Sequence, residues 1–185
     1  MVNWIKELIT NTFKTSSKIK SWKDVEYFDT IWKVRIETMS QFIYPTAVVM
    51  DLGCGKMWLR EYLHYTNIYI PVDYLKRDQN TMVCDFNNYE FPTQVVDISF
   101  ISGCLEYIND HSWFVKNVCL QSNRCIISYC ILEKFPNITN RKKAHWVNNL
   151  SEKDLINLFS KNEYTLSHQI ISQTENNIYC FDRIN

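Results

Sequence analysis

The chain has 185 residues, 46% of them hydrophobic, which is enough to fill one sizeable core and sets the expectation of a single globular unit. Twenty basic and twenty acidic residues cancel, so no global basic field recruits nucleic acid or an anionic membrane. Seven cysteines without a CxxC pair, and no run of about eighteen apolar residues, predict free thiols in a soluble cytoplasmic protein with no metal site and no stable membrane insertion.

Taken in chain order, Trp4, Ile5, Leu8, Ile9 and Phe13 mark a short amphipathic helix, beside a polar stretch over Thr12–Lys23. A second helix is predicted from about Asp24 to Phe42, on the period of Phe28, Ile31, Trp32, Arg35, Ile36 and Met39. Pro45 ends it and introduces a first strand, Ala47–Asp51. Two of the chain's three glycines follow at once, in Asp51-Leu52-Gly53-Cys54-Gly55. A glycine pair there lets the backbone leave a buried strand sharply and leaves room for a ligand to approach the main chain. Leu59 and Leu63 then give a helical spacing over Trp58–Tyr65.

Further strands are predicted at Asn67–Val72, Thr81–Cys84, Val95–Ile101 and Arg124–Tyr129, with a helix over His111–Val118. Ser151 is a good N-cap, with Asp154 in the first turn, for a helix through Phe159. Tyr164–Ser172 and Asn177–Arg183 read as a hairpin closed by the polar turn Gln173–Asn176. Strand–helix repetition implies an α/β, Rossmann-like, doubly wound and mostly parallel sheet, and the hairpin implies an antiparallel edge.

Acidic residues recur where the strands end: Asp51, Asp73 and Asp85, with Glu106 shortly after strand four. Ligands of an open parallel sheet bind outside the carboxyl ends of its strands. Asp73 lies at the distance from Asp51 at which such folds place a carboxylate on a ribose hydroxyl pair. A dinucleotide fingerprint would need its third glycine at position 58, where Trp58 cannot permit the close helix–strand approach.

Asp51-Leu52-Gly53-Cys54-Gly55 resembles the first motif of the class I S-adenosylmethionine-dependent methyltransferases, small-molecule (type 11-like) branch, with Met57 where a small residue is usual. Ile70-Pro71-Val72-Asp73 is similar to the motif whose acid holds the ribose hydroxyls. Cys84-Asp85-Phe86 resembles the segment whose Asp accepts the adenine amino group. Ile101-Ser102-Gly103-Cys104-Leu105-Glu106-Tyr107-Ile108 resembles the Leu-Glu-His-Ile segment after strand four, with Tyr107 in place of His, and His145-Trp146-Val147-Asn148 resembles the segment before the late helix.

The resemblance implies a methyltransferase domain over 46–185 and an N-terminal helical cap or lid over 1–45. It implies S-adenosylmethionine as cofactor, held by Asp51, Gly53, Cys54, Gly55, Asp73, Tyr74, Asp85, Phe86 and Gly103. Trp32, Arg35, Glu106 and Tyr107 are the substrate-side candidates, and His111 and His145 the candidate bases. The implied acceptor is a small or sugar-like molecule rather than nucleic acid. Arg141-Lys142-Lys143 stands where such an acceptor's phosphate or carboxylate could bind, although a solvated charge run is the more usual reading of three adjacent cations. The alternative is a cofactor-binding or regulatory module that keeps this fold without turnover.

Overall fold

Seven strands pair into one sheet in the computed structural model, which describes Lys23, residues 28–172 and residues 176–184. They are β1 (Val48–Leu52), β2 (Ile68–Asp73), β3 (Met82–Val83), β4 (Ile98–Ser102), β5 (Arg124–Tyr129), β6 (Tyr164–Ile170) and β7 (Asn177–Arg183). Their order across the sheet is β3-β2-β1-β4-β5-β7-β6. The first five run parallel, and β7 lies antiparallel between β5 and β6. Chain order reverses between β1 and β4, which opens a crevice at the carboxyl ends of those two strands.

Alternation along the strands sends side chains to two cores. On one face Met50, Leu52, Ile101, Ile127 and Phe181 meet Phe114, Val115 and Val118 of α2 (His111–Gln121). Leu155 and Phe159 of α4 (Glu152–Ser160) complete that layer. On the other face Val49, Phe100, Ile126 and Cys180 are covered by Met39 of α1 (Trp32–Ser40) and by Leu59. The caps follow the local chemistry. Asp110 accepts the Trp113 N–H at the start of α2, and Ser151 and Asp154 form the predicted reciprocal capping box at the start of α4.

Some elements depart from expectation. Trp58–Tyr65 is not a helix but a single 3₁₀ turn over Trp58–Glu61. Met57 enters it in the left-handed region at φ 56°, and bonds of the i to i+3 kind replace an α-helical ladder. Leu59 still buries completely, so the apolar spacing reported a buried face rather than a helix. Strand four begins at Ile98, and Val95 is exposed. A short helix, α3 (Ile138–Lys143), was not expected, because its buried residue is Arg141 and no apolar period marks it. Of the predicted second helix, the described part is helical from Trp32 to Ser40. The helix at Trp4–Phe13, the polar stretch up to Trp22, Tyr27 and the hairpin turn at 173–175 lie outside the described residues.

Candidate functional site

The turn after β1 is built on its glycines. Gly53 and Gly55 take φ of +79° and +49°, a region that L side chains rarely adopt. The N–H groups of Gly53 and Cys54 both donate to the Val72 carbonyl, at 2.8 and 3.0 Å, and so tie the turn to β2. A Cβ on Gly53 would lie 2.7 Å from Cys104 Sγ, and one on Gly55 would lie 2.5 Å from Phe28 Cε1. The Phe28 ring in turn packs edge-on against Trp32 and Trp58, with centroids 6.1 and 6.2 Å away. Gly55→Ala is therefore expected to cost about 1–2 kcal/mol of stability in urea unfolding, from the left-handed backbone alone. It also shifts tryptophan fluorescence, because Phe28 must move; an unchanged spectrum and midpoint would contradict this packing.

Three carboxylates gather around that turn. Asp51 is buried within β1 and accepts the Tyr69 hydroxyl at 2.7 Å. Burial pushes its carboxyl up to about 7; the Tyr69 bond opposes the shift and the Asp73 charge adds to it. Asp73 accepts the Gly55 N–H at 2.9 Å on Oδ2 and the Leu75 N–H at 3.0 Å on Oδ1. An Arg77 guanidinium nitrogen lies 3.2 Å from Oδ1. Asp85 accepts the Asn87 N–H at 3.1 Å and is ion-paired to Lys23, whose carbonyl accepts the Tyr74 hydroxyl at 2.9 Å. Arg77 and Lys23 were missed in the sequence. The i,i+4 spacing from Asp73 was the available signal for Arg77, and nothing local marks Lys23.

The segment after β4 supplies the other wall. Gly103, at φ +64°, donates its N–H to Ser128 Oγ at 3.0 Å, and a Cβ there would lie 3.0 Å from Arg35 Nη2. Arg35 is buried, donates from Nε to Ser102 Oγ at 3.2 Å, and lies 5.7 Å from the Trp32 ring centre. Glu106 is only 1% exposed, and its Oε1 accepts from the Cys130 N–H at 3.0 Å and from Asn176 Nδ2 at 2.8 Å. Burial raises its carboxyl, while the backbone N–H bonds and then the Arg35 and Arg141 charges oppose the rise. Burial likewise pushes the Tyr107 hydroxyl up to about 12, helped by the neighbouring Glu106 charge.

No family model matches this sequence, and no curated protein does. Solved structures match it closely in shape. Magnesium protoporphyrin IX methyltransferase from Synechocystis PCC 6803, with bound SAH, superposes at TM-score 0.66 and 14% identity, over 97% of this chain and 100% of that one. The Burkholderia thailandensis 1,6-didemethyltoxoflavin-N1-methyltransferase, with its toxoflavin precursor and S-adenosylhomocysteine bound, gives 0.65 and 12% over 98% and 88%. CalO1, a methyltransferase in calicheamicin biosynthesis in its SAH-bound form, gives 0.64 and 13% over 84% of this chain and 55% of that one. The chain has the class I methyltransferase fold.

Within this methyltransferase fold, the carboxyl ends of the strands open into a cavity of about 200 Å³. All the residues expected on the cofactor side line it: Asp51, Gly53, Cys54, Gly55, Asp73, Tyr74, Asp85, Phe86 and Gly103. So do Trp32, Arg35, Glu106 and Tyr107. Phe28, Arg77 and Asn176 join them from segments that carry no such motif, and Trp146 joins from the segment that resembles the one before the late helix. The two histidines stand apart. His111 is the first residue of α2, and His145 sits in a left-handed turn at φ 61° just beyond α3; neither is among the lining residues. The flanking Ala144 and Trp146 do line the cavity.

The expectation that Arg141 serves an acceptor's phosphate or carboxylate is corrected. Its guanidinium is fully buried and donates to Asn149 Oδ1 at 2.7 Å, the Cys130 carbonyl at 3.0 Å and the Phe135 carbonyl at 3.3 Å. It also reaches the Tyr129 hydroxyl at 3.3 Å and the Asn148 carbonyl at 3.4 Å, and lies 4.8 Å from the Trp146 ring centre. Lys142 and Lys143 remain exposed. Among the described residues there is no cluster of His, Cys, Asp or Glu suited to a metal ion, and no helix long and apolar enough to cross a membrane.

Proposed function

We propose that the chain is an S-adenosylmethionine-dependent methyltransferase acting on a small-molecule or sugar-like acceptor in the cytoplasm. The observation that carries this reading is the convergence of Asp51, Asp73 and Asp85, at or just beyond the ends of three parallel strands, on the Gly53–Gly55 turn in one cavity. The donor set suits an adenosine: carboxylates for the ribose hydroxyls and the adenine amine, and glycines where a side chain would obstruct. The neighbours crystallised with SAH or S-adenosylhomocysteine support the same cofactor, and the one holding a toxoflavin precursor supports a small acceptor.

In this reading Asp73 holds the ribose hydroxyls, and Asp85 with the backbone of Phe86 meets the adenine. Cys54, Tyr74 and Gly103 complete the cofactor wall. Lys23 must yield an oxygen of Asp85 to the adenine amine. That exchange is cheap, because an ion pair with an exposed lysine contributes little. The sulfonium supplies an already activated methyl group, so the protein's task is to hold the acceptor atom in line and exclude water. Trp32, Arg35, Glu106 and Tyr107 form the acceptor side. Where the acceptor must lose a proton, this reading gives that role to neither His145 nor His111, since neither lines the cavity.

Calorimetry with S-adenosylmethionine or S-adenosylhomocysteine is expected to give micromolar-range binding, about −8 kcal/mol. A hundredfold excess over Kd then stabilises the fold by about 2.7 kcal/mol, visible as a rise in Tm. Absence of heat and of thermal shift at millimolar ligand would overturn the reading. Asp73→Ala is expected to weaken binding by about 2–3 kcal/mol, through loss of a charge-assisted acceptor. Asp85→Asn should weaken it less, since an amide oxygen still accepts from an amine. If both variants fold and bind as the native chain does, the roles given to the ends of β2 and β3 are wrong.

A further inference from the structure

Glu106 presents an incomplete account of its own burial. Its Oε1 takes two donors, the Cys130 N–H and Asn176 Nδ2, yet the buried Oε2 has no hydrogen-bond partner among the described residues. A carboxylate oxygen withdrawn from water without a donor is costly, and folded proteins rarely leave one so. The fully buried cation nearby does not supply it, since Arg141 spends its bonds on carbonyls, Asn149 and Tyr129. Glu106 lines the cavity, and Trp32, Tyr107 and Trp146 line it too, so the missing donor has a place from which to come.

We infer that Glu106 Oε2 is the anchor for the methyl acceptor, and that the acceptor class is an amine or alcohol carried on an aromatic or otherwise flat apolar body. This inference rests on the methyltransferase reading. The donor N–H or O–H points at Oε2, and the body packs among the aromatic rings. Asn176, at the start of the backbone leading into β7, holds the carboxylate in place through Oε1. No covalent step is assigned to Glu106; it positions.

The test uses benzylamine and benzyl alcohol as donor-bearing probes and ethylbenzene as a probe of like size without a donor. Each is titrated by NMR into the full chain, with and without saturating S-adenosylhomocysteine. Both donor probes are expected to bind the native chain at least tenfold more tightly than ethylbenzene. Glu106→Gln, which turns the Oε2 acceptor into a donor at the same place, should remove the preference for protonated benzylamine, which has no acceptor to offer, and leave ethylbenzene and S-adenosylhomocysteine binding within twofold. Benzyl alcohol, whose hydroxyl also accepts, keeps part of its advantage. Equal binding of all three probes to the native chain overturns the inference, because a trapped water then satisfies Oε2. A tenfold loss of S-adenosylhomocysteine affinity in Glu106→Gln also overturns it, since the oxygen then serves the cofactor's ammonium group. The native comparison needs no variant to fold. Failure of S-adenosylhomocysteine to bind the native chain sinks the methyltransferase reading instead, and the titrations without it still decide what Glu106 recognises.

Discussion

Replacing Arg141 with methionine is expected to destabilise the chain by about 3–5 kcal/mol, the scale seen when one member of a buried polar arrangement is removed. The side chain is fully buried, and its guanidinium joins the end of β5, the turn before α3 and the segment leading to α4. Methionine fills much of the volume but leaves the carbonyls of Phe135, Cys130 and Asn148 without that donor, and each deserted acceptor costs about 1–3 kcal/mol. Arg141→Lys should rescue little, because a single ammonium cannot reach acceptors spread across the planar fork. Lys142→Ala and Lys143→Ala are exposed controls and should stay within about 0.5 kcal/mol. Urea unfolding of the four variants checks this. A loss below about 1 kcal/mol for the methionine variant would mean that the network does not hold this segment.

Stability is also expected to fall as pH rises from acid toward neutrality, and Asp51 is the cause. Its ordinary value is 3.8, and burial in β1 raises it to about 7 in the folded chain. Between those values the folded state retains a proton that the unfolded chain has released. The stabilisation is complete below the lower value and is lost as pH rises through the upper one. A shift of this size corresponds to something on the order of 4 kcal/mol. Asp51→Asn removes the titrating group while keeping an oxygen for the Tyr69 hydroxyl, so its stability curve should be flatter over this window. Denaturant titrations at intervals from pH 4 to 8 decide the matter. Parallel curves for the native chain and the variant would show that Asp51 does not hold its proton.

Most strands were legible as apolar, often β-branched runs closed by a turn residue or an acid, and the polar β6 through its hairpin partner; β5 and β7 match the predicted bounds. Asp51, Asp73 and Asp85 were legible for a related reason, since a strand end tells where a carboxylate will stand even when its partners are unknown. Partners were what could not be read. Phe28 reaches Gly55 and Lys23 reaches Asp85 across chain separations that no local pattern encodes. The helix expected after the glycine turn failed because Leu59 and Leu63 share a period with helices, while the left-handed Met57 sets the backbone. Arg141 was misread for a physical reason. A run of three cations is usually solvated, and only tertiary structure shows that carbonyls and side-chain oxygens receive one of them. His111 and His145 were chosen by residue type, which says nothing about which way a ring faces.

The position of β7 bears on how the chain can be made. It lies between β5 and β6, yet leaves the ribosome after both, so these neighbours emerge without the strand that must separate them. Until it arrives, β5 presents an unpaired edge to solvent, and pairing of that edge with β6 would be an off-route state. Asn176, which steadies Glu106, is delivered in the same late step. A nascent chain stalled before Asn176 would thus carry the cofactor-side acids and glycines while lacking both the separating strand and that brace. Ribosome-bound chains of graded length should gain protease resistance abruptly once β7 clears the exit tunnel, rather than strand by strand.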